Sequence, residues 1–451
     1  MTQLLHRTKR FGRRTSLLLA LAVMAGGIGL AGCKSATDEC PCCKSGEATA
    51  QPSTTQPANS QPAKPTTQAS DAIRAFGPPT VSAGGSMSRP ATSAPAAPPT
   101  PDPREAAYLN NVTQLTFGFD RAGEGYFSKD GKWIVFQATP PGEKEYQMYV
   151  APLDLGDGTK PKIGTPVRVS PTNSRNTCGY FSPDGSTLIF GSTAGKEKPE
   201  DPSAGYQRQG GNYRWAFPDG MEIYAAKDWK QAVGQDSDWT LVTPNSVTTL
   251  KLADLATPAN RLTNNEGYDA EASYSPDGKW LCFTSRRSGD TEVWVMKADG
   301  TNAVQITNSK NYDGGPFFAP DGKRLIYRSD RKGNDLLQVY VADLAFDDKG
   351  DITGMKAERQ LTDDANVNWG PIFHPDNQHI VYATSQHGHH NYEVYWMKDD
   401  GSEKTRITYC AGFDGLPVFS ADGKYLMWTA KRSANNTSQL FIGQFEKPVS
   451  K

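Results

Sequence analysis

One ten-residue pattern occurs six times in this chain, and it constrains the fold more than any other feature. Phe127-Ser-Lys-Asp-Gly-Lys-Trp-Ile-Val-Phe136 is followed by Phe181-Ser-Pro-Asp-Gly-Ser-Thr-Leu-Ile-Phe190 and Tyr274-Ser-Pro-Asp-Gly-Lys-Trp-Leu-Cys-Phe283. Phe318-Ala-Pro-Asp-Gly-Lys-Arg-Leu-Ile-Tyr327, Phe373-His-Pro-Asp-Asn-Gln-His-Ile-Val-Tyr382 and Phe419-Ser-Ala-Asp-Gly-Lys-Tyr-Leu-Met-Trp428 complete the set. Asp bonds its own backbone in all six copies; Pro, in four of them, presets the turn, and Gly, in five, supplies the positive φ that closes a hairpin. The strand after the turn is apolar on both faces, as a strand buried between two packed layers must be.

The turn aspartate or its equivalent falls at 130, 184, 277, 321, 376 and 422, so the intervals are 54, 93, 44, 55 and 46. Most match one four-stranded propeller blade. The long interval is read as an insertion in blade two, about 195–247. A further strand follows each copy: Gln147-Met-Tyr-Val150, Met221-Glu-Ile-Tyr224, Glu292-Val-Trp-Val295, Gln338-Val-Tyr-Val341, Glu393-Val-Tyr-Trp396 and Gln439-Leu-Phe-Ile442. An outer strand then often ends in Leu-Thr or Ile-Thr, as in Arg261-Leu-Thr263 and Arg406-Ile-Thr408. The sixth copy lacks one, while a spare Gln114-Leu-Thr116 precedes the first. Residues 112–117 are therefore expected to cross over and complete the last blade, which removes exposed sheet edges. The expected fold is all-β: a six-bladed propeller of four-stranded blades over 108–451.

What precedes the repeats is of another kind. Arg7, Lys9, Arg10, Arg13 and Arg14 lead into an apolar run that ends at Leu30-Ala31-Gly32-Cys33. This resembles the bacterial lipobox, which implies a signal peptide over 1–32, lipidation of Cys33 and a membrane anchor. The Lys34 that follows favours the outer membrane. Arg13-Arg14 also resembles a twin-arginine signal, but Ser16 stands where an apolar residue belongs. Residues 44–107 are rich in Pro, Ala, Thr and Ser and cannot bury a core, so 33–107 is read as a disordered linker. Its coil dimension is about 45 Å. Cys40, Cys42 and Cys43 are too crowded to surround one tetrahedral ion, and Cys178, Cys282 and Cys410 form no disulfide framework.

The turn, the apolar strand after it and the Glu-Val/Ile-Tyr/Trp strand resemble the WD-like repeat of the TolB propeller family. The resemblance runs from Val112 to about Glu446 and implies a periplasmic protein that binds an envelope protein. TolB carries a folded α/β domain before its propeller; here the lipobox and linker stand instead, which puts a Tol-Pal role in doubt. Enzymes built on related propellers leave other marks. No Gly-x-Ser-x-Gly elbow of the prolyl-oligopeptidase type occurs. The Ser182-to-Gly185 spacing departs from the sialidase turn. The five histidines beyond the signal, His374, His379, His387, His389 and His390, all fall in one blade, so they cannot ring a central metal as in oligogalacturonate lyases.

Eight residues before each turn position stand Ala122, Asn176, Asp269, Asp313, Asn368 and Asp414. Five of six are Asp or Asn, at the point where the chain begins each innermost strand, and Glu124 and Glu271 lie two residues further on. The functional reading is a polar, acidic channel mouth that contacts a peptide, a sugar or a cation. The structural reading is that each side chain caps its own turn. The insertion offers Tyr213, Trp215 and Trp229 as a second recognition surface, or as aromatics packed on the blade edge. Net charge is -1, without the basic excess of nucleic-acid binders. The expectation is a monomeric, lipid-anchored platform that binds an envelope protein or peptide, with a saccharide as a further ligand class, and with no cofactor, metal or catalytic residue. The alternative is a polysaccharide- or peptide-processing enzyme.

Overall fold

The computed structural model describes residues 102–156, 160–196, 205–209, 212–234, 251–433 and 436–449. Cys33, the signal segment and the linker up to 101 lie outside the described residues. Each repeat builds its turn as its chemistry dictates. Ser128, Ser182, Ser275 and Ser420 donate to the turn aspartates at 2.6–2.7 Å and accept the N–H of the residue five positions on. The glycine after the aspartate is left-handed, with φ near 70° at Gly131 and Gly185, and Asn377 takes that place in the fifth copy.

The turns join first strands to second strands in six antiparallel sheets. Blade one is Arg121–Phe127, Trp133–Thr139 and Gln147–Asp154, edged by Lys162–Ile163 and Val167–Arg168. Blade three is Asp269–Tyr274, Trp280–Ser285, Glu292–Lys297 and Val304–Gln305. Blades four and five repeat that order from Asp313–Phe318 and Asn368–Phe373. In blade two the third strand, Glu222–Lys227, falls inside the stretch expected as an insertion, and Arg261 bridges Tyr224 on its outer side. A two-stranded hairpin, Gly205–Gln209 with Asn212–Ala216, precedes that strand. Each second strand is buried throughout its middle, for example Ile134, Val135 and Phe136 at 0% exposure, because blades cover both its faces.

Ring closure follows the spare Leu-Thr copy. Leu109–Gln114 pairs antiparallel with Gln439–Phe445, three residues earlier than the sequence suggests, and the hydrogen bonds continue through Leu115 N–H to the Leu440 carbonyl. Residues 102–107, expected in the linker, form a turn instead. Its Glu105 is buried and reaches Arg432.

The Thr of each Leu-Thr or Ile-Thr has one job in every blade. The hydroxyls of Thr116, Thr263, Thr307, Thr362 and Thr408, with Ser170 in blade one, each accept a backbone N–H from the third strand at 2.8–3.0 Å. Four of the threonines, and their Ser170 counterpart, also donate to the Glu or Gln that begins that strand, as Thr307 does to Glu292 at 2.6 Å. Thr307→Val keeps the shape and orphans both partners. It is expected to lower stability by about 1–3 kcal/mol, checked by urea unfolding; no change would show that the hydroxyl carries no weight.

Candidate functional site

The six first strands stand around a channel, each against the next and the sixth against the first. None is regular. Each pairing register shifts at one point, leaving an unpaired residue six positions before the turn: Glu124, Cys178, Glu271, Gly315, Gly370 and Leu416. All six are left-handed, with φ between 46° and 60°. A bulge of this kind re-aims a side chain out of the ladder, and here the six bulges line a cavity of about 250 Å³ at the mouth where the first strands begin. Tyr126, Tyr180 and Phe317, with ring centroids 5.3–6.1 Å apart, form an aromatic waist. Beyond it lies a second cavity of about 340 Å³ on the turn side, lined by Lys129, Pro183, Pro276 and Pro320.

At the mouth Glu271 accepts from Arg328 (2.6 Å), Thr284 (2.6 Å), Tyr312 (3.2 Å) and the Gly315 N–H (2.9 Å). Glu124 accepts from Cys178 (2.9 Å), Gln137 (2.8 Å) and Tyr126 (3.3 Å). Burial raises the Glu124 carboxyl above its ordinary value. Burial, reinforced by Glu124 and Glu271, pushes the Cys178 thiol well up. Burial works against the charge of Arg328, yet the Glu271 carboxylate holds it above the usual guanidinium range. The Arg328 guanidinium crosses the blade-four bulge, where a Cβ on Gly315 would sit 1.6 Å from Nη1. Gly315→Ala is therefore expected to break the buried pair and cost roughly 3–5 kcal/mol. Gly370→Ala, at the same place in blade five with Leu416 Cδ2 at 3.2 Å, should cost about 1–2 kcal/mol for the left-handed backbone. Thermal melts of the two compare them, and equal losses would contradict the role given to Gly315.

Aromatic rings form another part of the lining. Phe217, at the exit of the blade-two hairpin, stacks on Tyr312 at 5.3 Å and lies 4.9 Å from Tyr268. Trp369 of blade five also lines the cavity, whose polar side holds Glu145, Tyr146 and Arg175.

The Asp/Asn ring occupies a different place from the mouth surface. Asn176, Asp269, Asp313, Asn368 and Asp414 are each at most 4% exposed and are bonded within the joints between blades; of the five, Asn176 lines the cavity. Asn176 donates to Gln147 and Asn368 to Gln338, each on the preceding blade. The three aspartates pair with Arg287, Arg331 and Arg432, eighteen residues on, beside Glu222, Glu292 and Glu393 of the preceding blade. Amide thus meets amide and acid meets acid across these five joints; at the sixth, Ala122 stands in the Asp/Asn position. The expected Glu124 and Glu271 do meet in the cavity, whereas Ala122 is buried. Trp229 is 1% exposed and packs between Trp133 and Phe181, so it belongs to the blade interior. Tyr213 and Trp215 stand on the hairpin, and their side chains lie outside what is described.

Cys178, Gln137, Arg328 and the aromatic wall were not anticipated. The available signal was the position seven after each turn, occupied by Gln137, Gly191, Thr284, Arg328, Ala383 and Thr429, where one arginine interrupts an apolar strand. Among the described residues no group of three or more His, Cys, Asp or Glu side chains is arranged to hold a metal ion. His387 instead contacts Tyr395 Oη at 2.6 Å.

Residues 244–358, from the end of blade two into the outer strand of blade four, match the family model described as TolB beta propeller domain. Over that stretch the propeller is similar to the TolB propeller. A 42-residue stretch is 43% identical to an uncharacterized protein of Agrobacterium fabrum, covering 9% of this chain and 14% of that protein's length. Among solved structures, a putative TolB from Agrobacterium tumefaciens is 16% identical with a TM-score of 0.44, covering 72% of this chain and 91% of that one. TolB from Acinetobacter baumannii is 18% identical with a TM-score of 0.41, covering 67% and 61%. An oligogalacturonate lyase from Vibrio parahaemolyticus is 12% identical with a TM-score of 0.43, covering 74% and 93%.

Proposed function

We propose that this TolB-like propeller is a binding platform of the cell envelope, anchored by lipid at Cys33, carried clear of the membrane by the linker, and recognising an envelope protein or peptide at the mouth where the first strands begin. One observation carries the reading. The mouth cavity sets aromatic rings beside carboxyl groups that are fixed by internal donors, the mix of rigid apolar surface and few oriented polar groups that recognition uses. Its groups are poorly suited to nucleophilic chemistry, because a thiol pushed up by burial and two carboxyls is the reverse of an activated one. Periplasmic, outer-membrane placement follows from the lipobox, and a role in envelope maintenance or transport from the family resemblance.

Chemical crosslinking of the protein in intact cells, with captured neighbours identified by mass spectrometry, tests this. A discrete envelope protein is expected with wild type, lost in both Cys33→Ala and Phe217→Ala. The same neighbours in all three, or turnover of a polysaccharide or peptide by the purified protein, would favour the enzymatic alternative or a passive envelope role.

A further inference from the structure

The mouth cavity is lined by three carboxyl groups, Glu124, Glu145 and Glu271, and two guanidinium groups, Arg175 and Arg328. Glu145 faces Arg175 at 3.4 Å and Glu271 faces Arg328 at 2.6 Å. Glu124 is left over. Its three side-chain donors, a thiol, an amide and a phenol, are all neutral. The Arg328 guanidinium acts on Glu124 through space, but its bond goes to Glu271, so among the described residues an ionised Glu124 makes no direct ion pair.

A second observation stands beside it. Gln137 is 8% exposed and donates through Nε2 to Glu124, which fixes its amide orientation. Its Oε1 is then buried against the same cavity and finds no donor among the described residues. Two acceptors therefore sit together without a directly bonded cation among the described residues. The same cavity is lined by Phe217, Tyr268, Tyr312 and Trp369, and aromatic faces attract cations. The wall already holds one, since the Arg328 guanidinium lies 5.6 Å from the Tyr312 ring centre.

We propose that the mouth cavity receives an organic cation of the partner, a lysine or arginine side chain or a free amino group, with its charge at Glu124 and Gln137 Oε1 and its alkyl stem along the aromatic wall. This rests on the mouth being the binding face. It adds the class of group that the face selects, and makes Glu124 and Gln137 the residues that set the selection.

Binding is read by isothermal titration calorimetry on the full chain. The probes are acetylated, amidated tripeptides with a central lysine, norleucine or acetyllysine, and an N-acetylglucosamine oligomer. The lysine peptide is expected to bind at least fivefold more tightly than any of the other three. Glu124→Gln should abolish that preference. Gln137→Met, read the same way, covers the case in which Glu124→Gln does not fold, and should reduce the preference to less than twofold. Equal binding of lysine and norleucine, binding of the saccharide alone, no binding of any probe, or an unchanged preference in a folded Glu124→Gln would overturn the proposal. If an envelope protein is still lost from Phe217→Ala in cells while lysine shows no preference, the platform reading stands and the cation reading falls.

Discussion

Arg432→Met is expected to destabilise the propeller by roughly 3–5 kcal/mol, the usual consequence of removing one partner from a buried ion pair. Arg432 is 8% exposed and lies between Asp414, on the first strand of blade six, and Glu105, in the turn that precedes the closing strand. It donates to Asp414 at 2.7–2.9 Å and to both oxygens of Glu105. Glu105 in turn accepts the Tyr409 N–H at 2.9 Å, so one guanidinium ties the incoming chain to the joint between blades five and six. Methionine fills similar volume but leaves Glu105 and Asp414 without the guanidinium that bonds both of them. Urea or thermal unfolding reads the loss. A loss under about 1 kcal/mol, the range of an exposed pair, would show that the joint is wetter than its burial indicates. Arg104, over Tyr409 at 4.4 Å, is the control at the same place, and its replacement should change little.

The second large effect is a fall in stability as pH rises. Burial, with Asp313 nearby, pushes Glu292 up to about 7, and burial, with Asp414 nearby, pushes Glu393 up to about 8. The ordinary value is 4.5, so between about pH 4.5 and 8 the folded chain holds more protons than the unfolded one. Stability is then complete below about 4.5 and declines as pH rises through about 7 for Glu292 and about 8 for Glu393. A tenfold difference in proton affinity between the folded and unfolded chain corresponds to about 1.4 kcal/mol. Turn aspartates act the other way at low pH: bonds from Ser182 and Ser186 hold Asp184 down to about 2. Burial outweighs the facing residue: Arg406 answers Glu393 while Gln305 takes that place before Glu292, yet the more deeply buried Glu393 is raised further.

Glu292→Gln tests the assignment through its pH dependence. Gln already stands at the equivalent position of three blades, as Gln147, Gln338 and Gln439. At pH 5 the folded wild type holds the Glu292 proton, so both side chains are neutral and the variant should match it within about 1 kcal/mol. At pH 8 it should be more stable than wild type. Parallel stability curves across pH 5–9 would show that Glu292 does not hold the proton.

The blades were legible in the sequence because a turn is local chemistry: Ser, Asp and Gly act on residues within five positions. Ring closure was legible because Gln114-Leu-Thr116 is a spare copy. The Asp/Asn ring was found by counting, but its meaning was not. The partner of Asn368 is thirty residues back at Gln338, and only the ring of blades brings such pairs together. The bulges at Glu124 and Cys178 were also hidden, since period-two alternation assumes a regular strand, and the left-handed residue here is not glycine. Trp229 looked like a recognition aromatic because its neighbours in sequence are polar; Trp133 and Phe181, which cover it, are far away in the chain.

The most direct test of the account is site-specific photocrosslinking in living cells, with a photoreactive phenylalanine analogue placed either at Phe217, on the aromatic wall of the mouth, or at Lys129, beside the cavity on the turn side. The account expects a discrete crosslinked envelope protein from the probe at Phe217 and none from the probe at Lys129. A partner captured only from Lys129, or none from either, would contradict a binding face at the mouth where the first strands begin.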